Sequence, residues 1–318
     1  SRADTAMENE VTRRSMTKKP TKLTPVSTRL LDTRVELLQK VWGDTPKLYN
    51  HAILCSVGLP YRNPGDGVRV FQRTSGATSL RLEAGALPKM DGSFQDVGLP
   101  FGPRARLLLL HLCSEAVRRQ SAVVEVDDSF TAFARTLGLA TSGRNLRTLR
   151  DQVLRMSVVS MRLARSHGSY VDVFQGPVFS KLRANMVVGP EQLQLWTEFV
   201  EFAPSFYQSL LSNAVPLRME AIGALKHSAR ALDVYAWLSH RLWRVNDSKP
   251  VRLKWTTLRF QFGNREQEMK SFKRAFKTAL KQVLLVYPEA KVELISGGLL
   301  LRRSPPPVPL KMNKRLLA

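Results

Sequence analysis

Several residue types that define common classes of protein are scarce in this 318-residue chain. Only two cysteines occur, Cys55 and Cys113, each within an apolar run, which excludes a disulfide framework and a zinc module. The longest apolar stretches, such as residues 107–110, are far shorter than the ~20 residues that cross a bilayer. Residues 1–27 lack the apolar core of a signal peptide. We therefore expect a cytoplasmic protein with no membrane segment.

Sequence motifs for several kinds of catalysis are also absent. No glycine is followed by lysine, so the chain has no phosphate-binding loop of the P-loop type. The five histidines include no His-x-His pair, which a metal-dependent nickase would need, and neither His-Glu-x-x-His nor Cys-x-x-Cys occurs. The acidic residues are scattered and form no recognisable acid/base pair. The sequence predicts a protein that is not an enzyme and that needs no metal or cofactor.

Acidic residues are few relative to basic ones: 26 against 49, which gives a net charge of +23. Such a surplus favours nucleic acid as the partner. Hydrophobic residues make up 43% of the chain, enough to bury sizeable cores. The length is about twice the ~150-residue prior for one domain, so we expect two domains.

One order of elements occurs twice, with an offset of 125 residues between Leu107 and Leu232. Each copy predicts a helix, a short strand, a second helix, a turn, a third helix and a hairpin, which is the order of a winged helix-turn-helix domain. The match continues without a gap where Phe133, Leu137 and Gly138 correspond to Leu258, Phe262 and Gly263. This internal repeat predicts two such domains in tandem.

We therefore predict an α+β fold of two tandem winged helix-turn-helix domains, the first with an extra small β region at its N-terminal side. The predicted boundaries are a flexible basic tail over residues 1–27, a first domain over 28–187, a second domain over 188–303 and a proline-rich basic tail over 304–318. Leu31, Val35 and Leu38 have helical spacing and predict a helix over residues 30–41. Roughly residues 180–217 join the two repeats.

The third helix of the second copy, predicted over residues 264–283, carries a one-sided basic face. At ~100° per residue, its apolar side chains fall on one side and its basic side chains on the other. The basic side comprises Lys270, Lys273, Arg274, Lys277 and Lys281, which we call the basic stripe. A solvated face that exposes lysine is the alternative, but such faces usually mix charge signs. We predict DNA contact by the stripe, with Arg274 as base reader and Lys273 as phosphate contact.

Weaker candidates for DNA contact occur elsewhere. The equivalent helix of the first copy has Arg144, Arg147 and Arg155 predicted to point outward, with Asp151 among them. The predicted hairpins add Arg162 and Arg165 in the first domain, and Arg302 and Arg303 in the second. Hairpin tips often lie along the DNA backbone or the minor groove. The face of the first-domain helix contacts either phosphates or a protein partner.

Several motifs together resemble the plasmid-encoded RepA family of replication initiators. In the first half they are Leu-Pro-Tyr-Arg at 59–62, Gly-Leu-Pro-Phe-Gly-Pro-Arg-Ala-Arg-Leu-Leu-Leu-Leu at 98–110 and Ser-Glu-Ala-Val-Arg at 114–118. The second half adds Ala-Leu-Asp-Val-Tyr-Ala-Trp-Leu at 231–238, Val-Tyr-Pro at 286–288 and Ser-Pro-Pro-Pro-Val at 304–308. The resemblance spans about residues 50–309.

This resemblance implies a bacterial protein that binds direct repeats (iterons) at a plasmid origin and opens an adjacent AT-rich segment. It implies further partners: the single strands of the opened DNA, the host initiator, the replicative helicase and a second copy of the chain in a monomer–dimer equilibrium. The alternative is a winged-helix transcriptional repressor, including one of its own promoter. A typical repressor has one reading head per chain and must dimerise, whereas two heads in one chain span a direct repeat as a monomer.

Overall fold

The computed structural model of the chain describes residues 24–39, 47–65, 67–89, 91–125, 130–136, 138–140, 142–188, 193–263 and 267–309. These residues form a mixed α+β fold with several small sheets. This confirms the α+β class of the predicted fold. None of the helices in these ranges has the length and apolar character needed to span a membrane. Residues 1–23 of the tail predicted over 1–27, and residues 310–318 of the tail predicted over 304–318, lie outside the described residues.

The first half of the chain alternates short strands and helices. In order, its elements are α1 (Pro25–Gln39), β1 (Lys47–His51), α2 (Ala52–Ser56), β2 (Val70–Ser75), β3 (Thr78–Glu83), β4 (Ala86–Pro88), β5 (Phe94–Asp96), α3 (Gly102–Arg119), β6 (Val123–Glu125), α4 (Phe130–Thr136), α5 (Gly143–Val158), β7 (Ser160–Ser166), β8 (Val171–Pro177), β9 (Phe179–Val188) and β10 (Leu193–Phe202). Strands β2 and β3 form a hairpin, with Ser75 paired to Thr78 across the turn at Gly76 and Ala77.

The second half is richer in helix. Its elements are α6 (Pro204–Ser212), β11 (Ala214–Arg218), α7 (Met219–Leu225), α8 (Ala229–Arg241), a 3-10 turn (Leu242–Arg244), β12 (Val251–Lys254), α9 (Trp255–Phe262), α10 (Met269–Val286), β13 (Val292–Ile295) and β14 (Gly298–Leu301). Ser228 caps α8, because its Oγ accepts a hydrogen bond from the backbone N–H of Ala231 at 3.2 Å. Glycine is required at Gly298, where a Cβ would lie 1.8 Å from the carbonyl oxygen of Leu253.

The strands pair into small antiparallel sheets. The largest has the order β2-β3-β7-β8, and two others have the orders β6-β10-β9 and β12-β14-β13. Strand β1 pairs with β11, so the N-terminal part is hydrogen-bonded to the start of the second half.

The two copies of the sequence repeat share the order of their elements but not the pairing of their first strand. In the second copy β12 pairs with β14 of the hairpin that follows. In the first copy β6 pairs with β10 instead, and the β7–β8 hairpin joins β3. The repeat is therefore confirmed as an order of helices and strands, and the sheets around the two copies differ.

The observed pairing changes how residues 180–217 are understood. They contain most of the β9–β10 hairpin, α6 and β11, and they do not form a simple connection. The predicted boundary between 187 and 188 falls inside this hairpin, whose strand β10 also pairs with β6. These pairings place residues 193–202 with the first half, because a strand belongs to the sheet that satisfies its backbone hydrogen bonds.

The ends of the predicted domains also differ from expectation. Helix α1 starts at Pro25, two residues before the end of the predicted tail, and packs on α7 and α10 of the second half. It buries Leu30 and Leu37, whereas Leu31, Val35 and Leu38 are exposed by 37%, 53% and 63%. At the other end residues 304–309 pack onto the fold, since Ser304 is buried and the hydroxyl of Tyr287 donates to the carbonyl of Pro305 at 2.7 Å.

A single cluster of buried side chains runs from Leu30 to Leu301 through both halves. Helices α3 and α8, the first helix of each repeat copy, contact one another within it. The two halves thus share one core, to which the contact of α3 with α8 contributes.

Candidate nucleic-acid interface

Helix α10 separates its apolar and basic side chains as its sequence predicts. Phe272, Phe276, Ala279, Leu280 and Val283 are buried against the fold. Of the basic stripe, Lys270, Arg274, Lys277 and Lys281 are exposed and Lys273 is half-buried. Within the part of the chain that the structure describes, none of the five forms an ion pair with a carboxylate. Among the described residues, the stripe is therefore a row of positive charge on one helix face that no carboxylate pairs with.

Trp255, the first residue of α9, connects the stripe to the turn of the β13–β14 hairpin. The Nζ atoms of Lys273 and Lys277 each lie 5.7 Å from the centre of its indole ring. The backbone N–H of Trp255 donates to the carbonyl of Gly297 at 3.0 Å, and its indole N–H donates to that of Ser296 at 3.3 Å. One buried aromatic side chain thus brings two stripe lysines and the hairpin turn into one surface.

Two basic residues outside the predicted set lie on β12, which pairs with β14 of the hairpin. Arg252 and Lys254 are exposed on β12, an edge strand, whereas Val251 and Leu253, which alternate with them, are half-buried. Apolar and basic residues alternate along 251–254, which is the pattern of a half-buried strand. This alternation could have identified Arg252 and Lys254 as exposed residues from the sequence. Trp255 was missed as well, because a tryptophan at the start of a short helix has no local pattern that distinguishes it.

The arginines predicted at the second hairpin are not at its turn. Arg302 and Arg303 follow β14, ~13 Å along the strand from the turn at ~3.3 Å per residue. The guanidinium of Arg302 is 3.0 Å from the carboxylate of Glu293, and that of Arg303 is 2.7 Å from Asp247. Both pairs are exposed, and such pairs are weak. Arg302 and Arg303 thus lie away from the hairpin turn, each beside a carboxylate.

The prediction that Arg155 points outward is wrong. This side chain is 9% exposed, and its guanidinium donates to Asp151 at 2.7 Å and to the carbonyl of Leu99 at 3.3 Å. It also lies over the ring of Phe101 at 5.2 Å. The physical reason is that an arginine with a helical carboxylate partner and a backbone acceptor is buried at lower cost than an unpaired one. Arg155 therefore anchors α5 to the segment before α3.

The other two predicted arginines of α5 are on the surface. Arg144 and Arg147 are exposed, and neither has an ion-pair partner among the described residues. They lie on the third helix of the first repeat copy, as the stripe lies on that of the second.

The arginines of the first hairpin have different surroundings. Arg162, on β7, shares the carboxylate of Glu83 with Arg81, which keeps the pKa of Glu83 low. Arg165 is half-buried near His51 and His240. Burial, with the charge of Arg165 in second place, lowers the pKa of His51 to about 4. Arg162 and Arg165 therefore differ from Arg144 and Arg147 of α5, since neither is both exposed and without a carboxylate partner.

The described residues contain no group of three or more histidine, cysteine, aspartate or glutamate side chains that could hold a metal ion. Cys55 and Cys113 are buried, and burial raises the pKa of both thiols. The exposed lysine and arginine side chains described above suit a polyanion as ligand.

Comparison with known proteins gives the class of the chain. The family model described as plasmid encoded RepA protein matches residues 99–257, half of the sequence. The chain belongs to this family of plasmid replication initiators. No curated protein matches the chain significantly.

Solved structures show a likeness in fold. A crystal structure of domains 2 and 3 of RctB has a TM-score of 0.50 at 12% identity, over 73% of this chain and 84% of that one. Another structure of RctB domains 2–3 has a TM-score of 0.48 at 13% identity, over 78% of this chain and 94% of that one. At such identities the likeness concerns the fold alone.

Proposed function

We propose that the chain binds double-stranded DNA at a plasmid origin through α10 and the β13–β14 hairpin. The observation that carries this proposal is the basic stripe: five cations on one helix face, without carboxylate partners among the described residues, beside a hairpin turn held by Trp255. The order α8, β12, α9, α10, β13, β14 is that of a winged helix-turn-helix domain, in which the third helix enters the major groove.

The first half would act as a second winged-helix unit and a weaker DNA contact. Its α5 presents Arg144 and Arg147, which suits phosphate contacts that add affinity without reading sequence. Two DNA-contacting units in one chain would let a monomer span one direct repeat. Membership of the RepA family supports direct repeats as the target, with opening of the neighbouring DNA and recruitment of the host initiator and helicase as the following steps. These steps require no catalytic group of the chain itself.

The proposal is tested by the variant Lys270→Ala/Arg274→Ala/Lys277→Ala on full-length protein. The probe is a duplex that the parent protein selects from a random-sequence library, together with a scrambled duplex of equal composition. Across a salt series, loss of phosphate contacts should lower the slope of log K against log salt by ~0.9 per contact. Loss of a base contact should cost ~1–3 kcal/mol on the selected duplex only.

The matched control is Lys89→Ala, which removes an exposed lysine between β4 and β5, far along the chain from the stripe. This control should bind like the parent. Circular dichroism should show all variants folded, because exposed substitutions usually change stability by less than ~0.5 kcal/mol. Parent-like binding by the triple variant on both duplexes would exclude α10 as the DNA-binding surface.

A further inference from the structure

The motifs that relate this chain to its family converge on one buried ion pair between the two halves. Nε of Arg106, on α3, is 2.6 Å from one carboxylate oxygen of Asp233, and its Nη2 is 2.8 Å from the other. The same guanidinium donates to the carbonyls of Leu59, Pro60 and Gly102 at 2.6, 3.1 and 2.9 Å. The Leu-Pro-Tyr-Arg segment, the start of α3 and the middle of α8 are thereby joined.

Two further arginines, Arg73 and Arg230, lie with Arg106 around the ring of Tyr61. The guanidinium carbons of Arg73, Arg106 and Arg230 lie 4.8, 5.0 and 4.9 Å from the ring centre of Tyr61. Burial and the nearby Asp233 carboxylate raise the pKa of this tyrosine to about 12, so it stays neutral and Asp233 supplies the negative charge. The contact is close, because a Cβ at Gly58 would lie 2.0 Å from the Asp233 carboxylate.

Such a pair is a poor device for stability alone. Removing two charges from water costs about as much as their attraction returns, and well-packed apolar residues of similar volume often do as well or better. A bidentate pair with three further backbone acceptors does something that apolar residues cannot. The Arg106 guanidinium makes all its hydrogen bonds in one relative placement of α3, α8 and residues 59–60. In any other placement it loses several of them.

The junction extends to the helices that carry the proposed DNA surface. Nη2 of Arg73 donates to the carbonyl of Gly263, at the end of α9, at 3.2 Å. The side-chain amide of Gln261 donates to the carbonyl of Ser56 at 2.8 Å. Helix α9 is therefore held by α2 and β2 of the first half on one side, and it packs on α10 on the other.

We propose that the Arg106–Asp233 pair positions the two halves, so that the exposed arginines of α5 and the basic stripe of α10 contact one DNA duplex at a fixed spacing. Both residues are positioning residues, since neither is exposed enough to contact DNA. The DNA part of this inference rests on the proposed function, whereas the fixed placement of the halves does not.

The placement is measured on full-length protein without DNA. Spin labels are attached at Gln175→Cys on β8 and Ser248→Cys before β12, both exposed, while the two native cysteines are buried and unreactive. Pulsed dipolar spectroscopy should give one narrow distance distribution for the parent. It should broaden in Asp233→Asn, which removes the charge and keeps the shape, and in Arg106→Met/Asp233→Leu, which replaces the pair with apolar side chains. Arg119→Met, which breaks the exposed pair with Glu115, should leave the distribution narrow.

The same variants are then tested on the duplex selected by the parent and on its scrambled form. We expect the apolar double variant, folded by circular dichroism, to lose at least ten-fold in affinity for the selected duplex and less than two-fold for the scrambled one. A narrow distribution in the folded variants would overturn the positioning role, as would failure of both variants to fold, because the pair would then serve folding. A parent protein that does not discriminate the two duplexes would overturn the proposed function and leave the distance result standing.

Discussion

The ammonium of Lys277 lies over the indole ring of Trp255, 5.7 Å from its centre, while the same indole donates its N–H to the carbonyl of Ser296 in the hairpin turn. Trp255 is buried and therefore does not contact DNA directly. It fixes the position of the hairpin turn relative to the lysines of α10. A cation–π contact leaves the lysine charge intact, and the lysine remains available to a phosphate.

The variant Trp255→Phe tests this connection. It keeps a ring under Lys273 and Lys277 and removes the hydrogen bond to Ser296, which contributes ~1 kcal/mol. We expect the chain to stay folded, hydrogen exchange in residues 292–301 to accelerate, and affinity for the selected duplex to fall by about five-fold. Trp243→Phe, on the 3-10 turn after α8, is the matched control and should bind like the parent. Equal effects of the two substitutions would show that Trp255 has no special role.

Two arginines of α5 should respond differently to alanine substitution. Arg155→Ala removes a buried guanidinium that holds Asp151 and the carbonyl of Leu99, and should destabilise the fold by ~1–3 kcal/mol. Arg147→Ala should leave stability within ~0.5 kcal/mol and lower the salt slope of DNA binding by about 1 if Arg147 contacts a phosphate. Urea unfolding and the salt series distinguish the two effects. A stable Arg155→Ala protein with a reduced salt slope would restore the outward-facing interpretation.

Local periodic patterns in the sequence predict the faces of a helix well. The buried and basic faces of α10 follow from helical geometry alone, because residues 269–286 contain both faces in full. The face of Arg155 could not be predicted, because its acceptor, the carbonyl of Leu99, is 56 residues away. In α1 the apolar residues Leu30 and Leu37 have the same helical spacing as Leu31 and Leu38, and packing on α10 decides between them.

The larger miss concerns pairing between distant strands. Strand β10 is recognisable by composition, but nothing within it indicates that β6 is its partner. The family motifs were visible in the sequence, yet their meeting at Arg106 and Asp233 depends on the contact of α3 with α8. Sequence patterns thus predict elements and faces, whereas long-range pairing and the unit boundary that follows from it require the fold.

His51 should make the fold sensitive to acid. It is fully buried, its Nε2 is 2.9 Å from the hydroxyl of Ser209, and its Nδ1 accepts from the backbone N–H of Ile53 at 3.2 Å. Its pKa is lowered to about 4 from 6.5 in the unfolded chain, so the unfolded state binds the extra proton between these values. The stabilisation is complete above pH 6.5 and is lost as the pH falls towards 4, by ~3 kcal/mol in total.

The measurement compares urea unfolding near neutral pH and near pH 4 for the parent and for His51→Asn. Asparagine keeps an acceptor for the N–H of Ile53 at this helix cap and does not titrate. The variant should be less stable at neutral pH and lose less stability on acidification. The same loss on acidification in both proteins would assign the acid sensitivity to other groups.

We propose that the chain acts without chemistry of its own, so we expect no activity on DNA strands or on ATP. It lacks the P-loop motif and the His-x-His pair, and its described residues contain no metal-binding cluster. Supercoiled plasmid carrying the selected duplex, incubated with the protein, Mg²⁺ and ATP, should remain supercoiled, and no phosphate should be released. A nicking enzyme serves as the positive control. A covalent protein–DNA adduct on a denaturing gel would contradict the non-enzymatic proposal directly.

A fragment cut at the predicted domain boundary should not fold on its own. Residues 188–303 lack Arg106, the partner of Asp233, and losing one member of a buried ion pair costs ~3–5 kcal/mol. They also lack the β6 and β9 partners of β10 and the helix α1 that packs on α10. Whole domains are stable by only ~5–15 kcal/mol, so we expect these losses together to exceed what the remaining core supplies.

The comparison fragment is 24–309, which keeps every one of these contacts. Its thermal unfolding followed by circular dichroism should be cooperative, whereas that of 188–303 should show no transition. A cooperative transition of the shorter fragment at a similar temperature would establish an independent second domain and show that the shared core contributes little to its stability.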